Sequence, residues 1–247
     1  MRSISNFAFA VLSVSIMGGC FNAPTYPIGP QIEILNDEIC FLKSTKVDVQ
    51  DELVVSLKFK DGDGDLGLAQ RDTVGKYVFR NFFTFQNKLV TYKTKKLNPT
   101  LQGTNGQPLP DYVSPFNCKN WTVERVGGVR DTFYVEYNEY YFNIFVDIET
   151  QNQDGSFTKF DPAAYFQPPS CDTKGFNGRF PVLSKDPGKS NPLDGKMTYS
   201  MRSFGLDFLF STKTLRLKIS IVDKALNKSN VVESKTFTLQ SVKKCSQ

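Results

Sequence analysis

The sequence contains no histidine among its 247 residues. Histidine is the usual general base near neutral pH and a common zinc ligand, so its absence excludes Ser-His-Asp and Cys-His catalysis and imidazole metal sites. A hydrolase that uses two carboxylates stays open as an alternative, with Glu136 and Glu139 as its candidate pair. We expect a protein that is not an enzyme.

The sequence also lacks an apolar run long enough to cross a membrane as a helix. The apolar run at residues 7–17 is shorter than the roughly 20 residues that a span requires. It follows Arg2 and leads into the sequence MGGC, which ends at Cys20, and this is the pattern of a lipoprotein signal peptide. We therefore expect residues 1–19 to be removed and Cys20 to be acylated, with palmitate among its chains. Plain secretion and an uncleaved anchor are the alternatives.

A strong excess of charge of one sign is missing as well. The chain has 30 basic and 25 acidic residues, giving a net charge of +5, and the two signs are interleaved. This pattern predicts a solvated surface and no nucleic-acid partner. A hydrophobic content of 40% with 13% aromatic residues indicates a folded protein.

Alternating apolar residues predict β-strands. Residues 53–60, 142–148 and 215–221 alternate between apolar and polar side chains, which is the period of a half-buried strand. Weaker strand patterns occur near residues 31–36, 76–85, 87–93, 131–141, 155–160, 196–202 and 231–240. Turn residues separate these runs, as at Asp154-Gly155, and no long amphipathic helix is evident. We expect an all-β protein, an antiparallel β-sandwich.

Proline and glycine mark the organisation of the chain. They are concentrated in residues 20–30, which predicts an extended tether after the lipidated cysteine. The rest, residues 31–247, is expected to form a single β-sandwich domain. Residues of about 94–200 are rich in proline, glycine, asparagine and serine, and are expected to form a long, loop-rich central insertion.

An acidic loop follows the first strong strand. The sequence KDGDGDLGL places Asp61, Asp63 and Asp65 at alternate positions, where their charges repel unless a cation neutralises them. Hard carboxylate oxygens on a flexible loop suit Ca²⁺. The loop is not an EF-hand, because its sixth position is Leu66 instead of glycine. A glycine-rich turn whose aspartates cap backbone amides is the alternative.

A second polar loop follows the strand at residues 215–221. It carries Asp223 and Asn227, two further oxygen donors. In a sandwich with residues 31–36 as strand A, 51–60 as B, 214–222 as F and 231–240 as G, the loops after B and F emerge at the same pole. We therefore predict that Asp223 and Asn227 complete the calcium site, and that the tether begins at that pole.

The two loops resemble motifs of small envelope lipoproteins from Bacteroidota. FKDGDGDLG at residues 59–67 is similar to their F-x-D-G-D-G-D-[IL]-G loop, and DKALNKSN at residues 223–230 to their D-[RK]-A-x-N-x-S-N loop. The resemblance implies an immunoglobulin- or cadherin-like domain, anchored by lipid in the outer membrane. Many such lipoproteins carry acidic residues just after the cysteine to reach the cell surface. Residues 21–31 contain none, so the sequence does not select between the periplasmic and surface faces.

Four cysteines remain once Cys20 is assigned to lipid. An even number in an exported protein predicts disulfides, and four cysteines allow three pairings. The predicted sandwich brings the A–B loop near the end of strand G, which favours Cys40–Cys245 and leaves Cys118–Cys171.

The sequence leaves two non-enzymatic functions open. The first is a binding or structural module of the envelope, within an outer-membrane protein assembly. The second is glycan binding by a dense aromatic group. This group comprises Trp121, Phe133, Tyr134, Tyr137, Tyr140 and Tyr141. Because alternating aromatic residues on strands usually fill a core, we favour the first function.

Overall fold

The structure is a computed structural model that describes residues 25–46, 48–112, 120–165, 175–186 and 191–245. The expected signal peptide, Cys20, Cys118 and Cys171 lie outside the described residues. The strands are β1 (Gln31–Ile34), β2 (Cys40–Leu42), β3 (Asp51–Asp61), β4 (Arg80–Phe82), β5 (Thr84–Phe85), β6 (Lys88–Leu89), β7 (Trp121–Val126), β8 (Val129–Tyr137), β9 (Ile144–Gln151), β10 (Phe157–Lys159), β11 (Leu193–Ser203), β12 (Leu215–Ile221), β13 (Val232–Glu233) and β14 (Lys243–Lys244). The α-helices are α1 (Tyr92–Leu97), α2 (Pro162–Tyr165) and α3 (Leu206–Phe210).

The first sheet is built around β3. Strand β11 runs antiparallel to β3 along its whole length, from Leu193 opposite Asp61 to Ser203 opposite Asp51. Strands β1 and β2 share the other edge of β3, and β14 adds to β2 in parallel. Strand β1 corresponds to the predicted strand A but ends at Ile34, two residues earlier than expected. A 3-10 turn at Asn36–Glu38 then separates β1 from β2.

The second sheet has the order β10-β9-β12-β13. Buried residues alternate with half-buried ones along the whole of β12, as the period-2 pattern predicts. The hairpin between β9 and β10 turns at Asp154-Gly155, where Gly155 has a φ of 82°, which confirms that turn. The predicted strand G is reduced to the two residues of β13 and an isolated bridge from Leu215 to Phe237.

The inward faces of the two sheets form the main hydrophobic core. It contains Leu53, Val55 and Leu57 from the first sheet, and Ile148, Leu217 and Ile219 from the second, all of them fully buried. Helix α3 closes one end through Leu206 and Phe210. The all-β, antiparallel sandwich that the sequence predicts is thus confirmed.

A smaller sheet, β4-β8-β7, carries a second core. This core consists of Val90, Leu109, Trp121 and Tyr134, with the indole N–H of Trp121 donating to the Pro110 carbonyl at 3.1 Å. Helix α1 lies beside it and begins with a capping box between Thr91 and Thr94.

The range expected to be a loop-rich insertion includes strands of both main sheets. The range 94–200 contains β9 and most of β11, which are members of the two principal sheets. Pairing with β3 makes β11 a long strand, although its sequence has few strongly apolar residues. Among the described residues, no helix is both long and apolar enough to span a membrane.

A disulfide joins Cys40 to Cys245, with their Cα atoms 5.1 Å apart. It links β2 to the segment that follows β14, and the Cys245 N–H donates to the Phe41 carbonyl at 3.3 Å. This confirms the predicted pair. The pairing of Cys118 with Cys171 stays a prediction, since both lie outside the described residues.

Candidate metal site

The two predicted loops meet at one pole of the sandwich. Asp61 is the last residue of β3, in the first sheet, and Asp223 follows β12, in the second. One carboxylate oxygen from each of Asp61, Asp63, Asp65 and Asp223 lies within 4.8 Å of the others. The convergence follows from antiparallel order, because β3 and β12 both end at this pole.

Two carboxylates of this cluster are withdrawn from solvent, and the other two are half-buried. Asp61 is 0% exposed and Asp223 is 1% exposed, whereas Asp63 and Asp65 are partly exposed. Within the described part of the chain, the Oδ1 atoms of Asp61 and Asp63 are buried and have no hydrogen-bond partner. Leaving an ionised oxygen buried and unpaired costs several kcal/mol. A bound cation would offset this cost.

Hydrogen bonds satisfy the remaining carboxylate oxygens only in part. The Asp65 N–H donates to Oδ2 of Asp61 at 3.1 Å, and the Lys224 N–H donates to Oδ1 of Asp65 at 3.3 Å. These bonds fix where the side chains point, and the last one ties the two loops together. They do not neutralise charge, because backbone amides are uncharged.

Asn227 contacts the cluster through Asp223, and its role as a ligand stays a prediction. Its backbone N–H donates to Oδ1 of Asp223 at 2.7 Å, and its side-chain amide donates to Oδ2 at 2.8 Å. The side chain thus presents its N–H to Asp223 and holds that carboxylate in position. Leu226, between them, has a φ of 75°, a strained left-handed conformation that the loop maintains.

The electrostatics of the cluster disfavour four ionised groups. Burial, and then the neighbouring carboxylates, raise the pKa of Asp61 from 3.8 to about 7. Burial and the charges of Asp223 and Asp63 raise the pKa of Asp65 to about 6. Burial also raises the pKa of Asp223. A bound cation would offset both the lost hydration and the repulsion between the carboxylates.

Basic side chains do not supply that cation. Among the described residues, no ion pair involves the four aspartates of the cluster. Two lysines adjoin the cluster in sequence: Lys224 directs its ammonium to Asp72 at 3.3 Å, and Lys60 places its ammonium over the Tyr26 ring. Asp72 lies outside the cluster, and its carboxylate also accepts the Ala69 N–H at 2.9 Å.

Packing holds the acidic loop against the sandwich. Leu66 is fully buried and Leu68 is 4% exposed, so both leucines anchor the loop in the core. The Phe180 carbonyl accepts the Leu68 N–H at 3.1 Å, and the Leu66 carbonyl accepts the Leu183 N–H at 3.0 Å. The segment around residues 180–183 thereby holds the C-terminal end of the acidic loop on the sandwich. The sequence gives no sign of this contact.

Glycine is required at Gly64 for two reasons. Its φ is 73°, which side-chain-bearing residues rarely adopt, and a Cβ atom there would overlap the Asn191 carbonyl. The glycines of the motif thus allow other parts of the chain to approach its backbone closely.

The aromatic group proposed for glycan binding is divided by the structure. Trp121, Phe133 and Tyr134 are buried. Tyr137, Tyr140 and Tyr141 are half-buried, and the rings of Tyr137 and Tyr141 pack edge-on against Phe79. The six side chains do not present one exposed stacking surface.

The two candidate catalytic glutamates have other partners. The carboxylate of Glu136 accepts the backbone N–H and the hydroxyl of Thr104, at 2.9 and 2.7 Å. Glu139 lies in a 3-10 turn and pairs with Lys228 at 3.9 Å. Each glutamate thus has a role in holding neighbouring segments.

Comparison of the chain with protein-family models, curated proteins and solved structures gave no match. The chemistry of the site itself therefore carries the functional conclusion.

Proposed function

We propose that this chain is a lipid-anchored lipoprotein of the cell envelope, whose β-sandwich is a non-enzymatic binding or structural module stabilised by Ca²⁺. Asp61, Asp63, Asp65 and Asp223 would hold the ion. The observation that carries the proposal is the pair of buried, unpartnered Oδ1 atoms on Asp61 and Asp63 inside this cluster.

Calcium fits the donor set better than other common metals do. All four side chains offer hard oxygens, and the cluster contains neither imidazole nor thiolate, the ligands that zinc favours. Ca²⁺ accepts six to eight oxygens in flexible geometry, whereas Mg²⁺ requires a nearly ideal octahedron. Irregular loops from two sheets can supply the flexible coordination of Ca²⁺ more easily than a regular octahedron.

The membrane part of the proposal rests on the sequence before residue 25. A short apolar run ending in MGGC supports acylation of Cys20 and an address in the outer membrane. Strand β1 begins at Gln31, so few residues separate the anchor from the sandwich. The ion would then stiffen the end of the domain that faces the membrane.

Thermal unfolding tests the calcium site. Because an ion that binds only the folded state adds RT ln(1 + [L]/Kd), a hundredfold excess over Kd stabilises by about 2.7 kcal/mol. For a chain of this size, that corresponds to a rise in Tm of about 5–10 °C. The variant Asp63→Asn with Asp65→Asn should lose this rise. Asp154→Asn, in an exposed Asp-Gly turn, is the matched control and should retain it.

Two results would contradict the proposal. Equal Tm values in calcium and in EDTA, on protein verified to be metal-free, would leave only the turn interpretation of the loop. A calcium response that survives the double substitution would place the ion elsewhere.

A further inference from the structure

The segment before β1, residues 25–30, lies on the acidic loop. The Pro27 carbonyl accepts the Gly62 N–H at 2.8 Å. Gly62 stands between Asp61 and Asp63, so this hydrogen bond joins the segment to the backbone of the metal site. The Tyr26 hydroxyl adds a second hydrogen bond, to Asp194 at the start of β11, at 2.9 Å.

The contact at Gly62 is too close for any side chain. A Cβ atom on Gly62 would lie 2.5 Å from the Tyr26 carbonyl oxygen and 2.6 Å from that of Pro27. The segment is therefore seated directly on the loop, and glycine at position 62 permits the seating.

The same segment reaches the second loop. A Cβ atom on Gly29 would lie 3.5 Å from the Cβ of Asn227, an ordinary van der Waals distance. Asn227 is the residue that holds Asp223 in the cluster. Residues 25–30 thus bind the first loop through Gly62. The strand that they lead into binds the second loop, because the Asn230 side chain accepts the Ile32 N–H at 2.8 Å and donates to the Ile32 carbonyl at 2.9 Å.

We propose that the ion acts as a lock for residues 25–30: cation binding holds the segment on the domain, and loss of the cation releases it. The inference rests on the proposed metal site and concerns its regulation. Without the cation, repulsion among the four carboxylates favours separation of the two loops. Separation moves Gly62 away from the second loop, to which Asn230 ties Ile32, and the hydrogen bond from Gly62 to Pro27 then breaks.

Release would change how the domain is connected to the residues before it. Six residues freed from the surface extend by about 20 Å. The position of the domain relative to its N-terminal attachment would then depend on the ion. Because coupling between two binding events is reciprocal, seating of the segment must also strengthen ion binding.

Hydrogen–deuterium exchange on the intact protein tests the lock. Calcium should slow exchange of the Gly62 amide, which donates to the Pro27 carbonyl of the segment, about fivefold or more, and EDTA should reverse the effect. Amides of the β7–β8 hairpin, in the separate smaller sheet, serve as the internal reference and should not respond.

Two glycine-to-alanine substitutions distinguish loss of the segment's contact from the mere addition of a methyl group. Gly62→Ala should expel the segment, abolish the calcium effect on the amide of residue 62, and weaken calcium binding by about fivefold or more in calorimetric titration. Gly128→Ala adds the same methyl group in the β7–β8 turn, where nothing lies within 4 Å, and should bind calcium like the wild type. Tyr26→Ala removes the hydrogen bond of the segment to Asp194 and the contact of its ring with Lys60, and should weaken calcium binding in the same direction as Gly62→Ala.

The outcomes distinguish this inference from the proposed function. Calcium binding without any added protection of the Gly62 amide would overturn the lock and leave the metal site intact. Unchanged calcium affinity in both Gly62→Ala and Tyr26→Ala would also overturn it. Absence of calcium binding in the wild type would overturn the metal site and the lock together.

Discussion

Cys245→Ser should destabilise the protein mainly through its unfolded state. In the folded state the cysteine belongs to a short terminal segment, since β14 pairs with β2 over only two residues. Few native contacts therefore depend on the disulfide. In the unfolded state, by contrast, the bond joins residues separated by 205 positions and closes a loop that includes nearly the whole sandwich.

The size of the effect follows from that loop. In the chain-entropy model, closing a loop of this length stabilises the folded state by about 5 kcal/mol. Measured values are commonly smaller, because reduced chains retain some structure. Local fraying of residues 243–245 adds little, as their side chains are exposed or only half-buried.

Guanidinium unfolding measures both the size and the origin of the effect. Removal of the bond should lower the midpoint and raise the m-value, because the open unfolded chain exposes more surface. The double variant Cys40→Ser with Cys245→Ser should match the single variant, since both remove the same bond. An unchanged midpoint would refute the structural disulfide. A lower midpoint with an unchanged m-value would place the effect in the folded state and refute the chain-entropy reasoning.

Two further predictions concern the acidic cluster and the anchor. The raised pKa values of Asp61 (about 7) and Asp65 (about 6) mean that the metal-free folded state binds more protons than the unfolded state, whose aspartates titrate near 3.8. The contribution of these groups to stability is therefore fully present below pH 3.8 and is lost as the pH rises from there to about 7, so the gain in Tm from calcium over EDTA should grow across that range. A gain that is constant with pH would contradict this. Labelling of cells with an alkyne fatty acid should mark the wild type but not Cys20→Ala, and equal labelling would refute acylation at this cysteine.

The sequence predicts well where alternation is strong. Strands β3 and β12 combine apolar residues at every second position with polar residues between them, and both lie in the sheets as expected. The meeting of Asp61 with Asp223 then follows from strand direction alone. The convergence of the two acidic loops could therefore be predicted from the sequence.

Prediction is weaker where contacts with other parts of the chain decide the local structure. Residues 92–97 form helix α1 although residues 87–93 have a strand-like pattern, because Thr91 caps the helix through Thr94. Strand β11 alternates only weakly, and its length is set by pairing with β3. The role of Asn227 depends on which amide atom faces Asp223, and the seating of Pro27 on Gly62 depends on backbone contacts across the fold. No local pattern encodes these relations.

The acidic loop is the place where packing and charge oppose each other. Leu66 and Leu68 fix the loop in the core, as they would at the continuation of an ordinary strand. Asp61, Asp63 and Asp65 are thereby brought together, with Asp61 buried and the other two half-buried, although their charges favour separation and hydration. Local choices in a foldable sequence usually agree with one another, and conflicts of this kind are concentrated at functional sites. A cation would remove the conflict without moving either leucine, and its binding would stabilise the hydrophobic anchors and the carboxylates in the one arrangement that the fold already gives them.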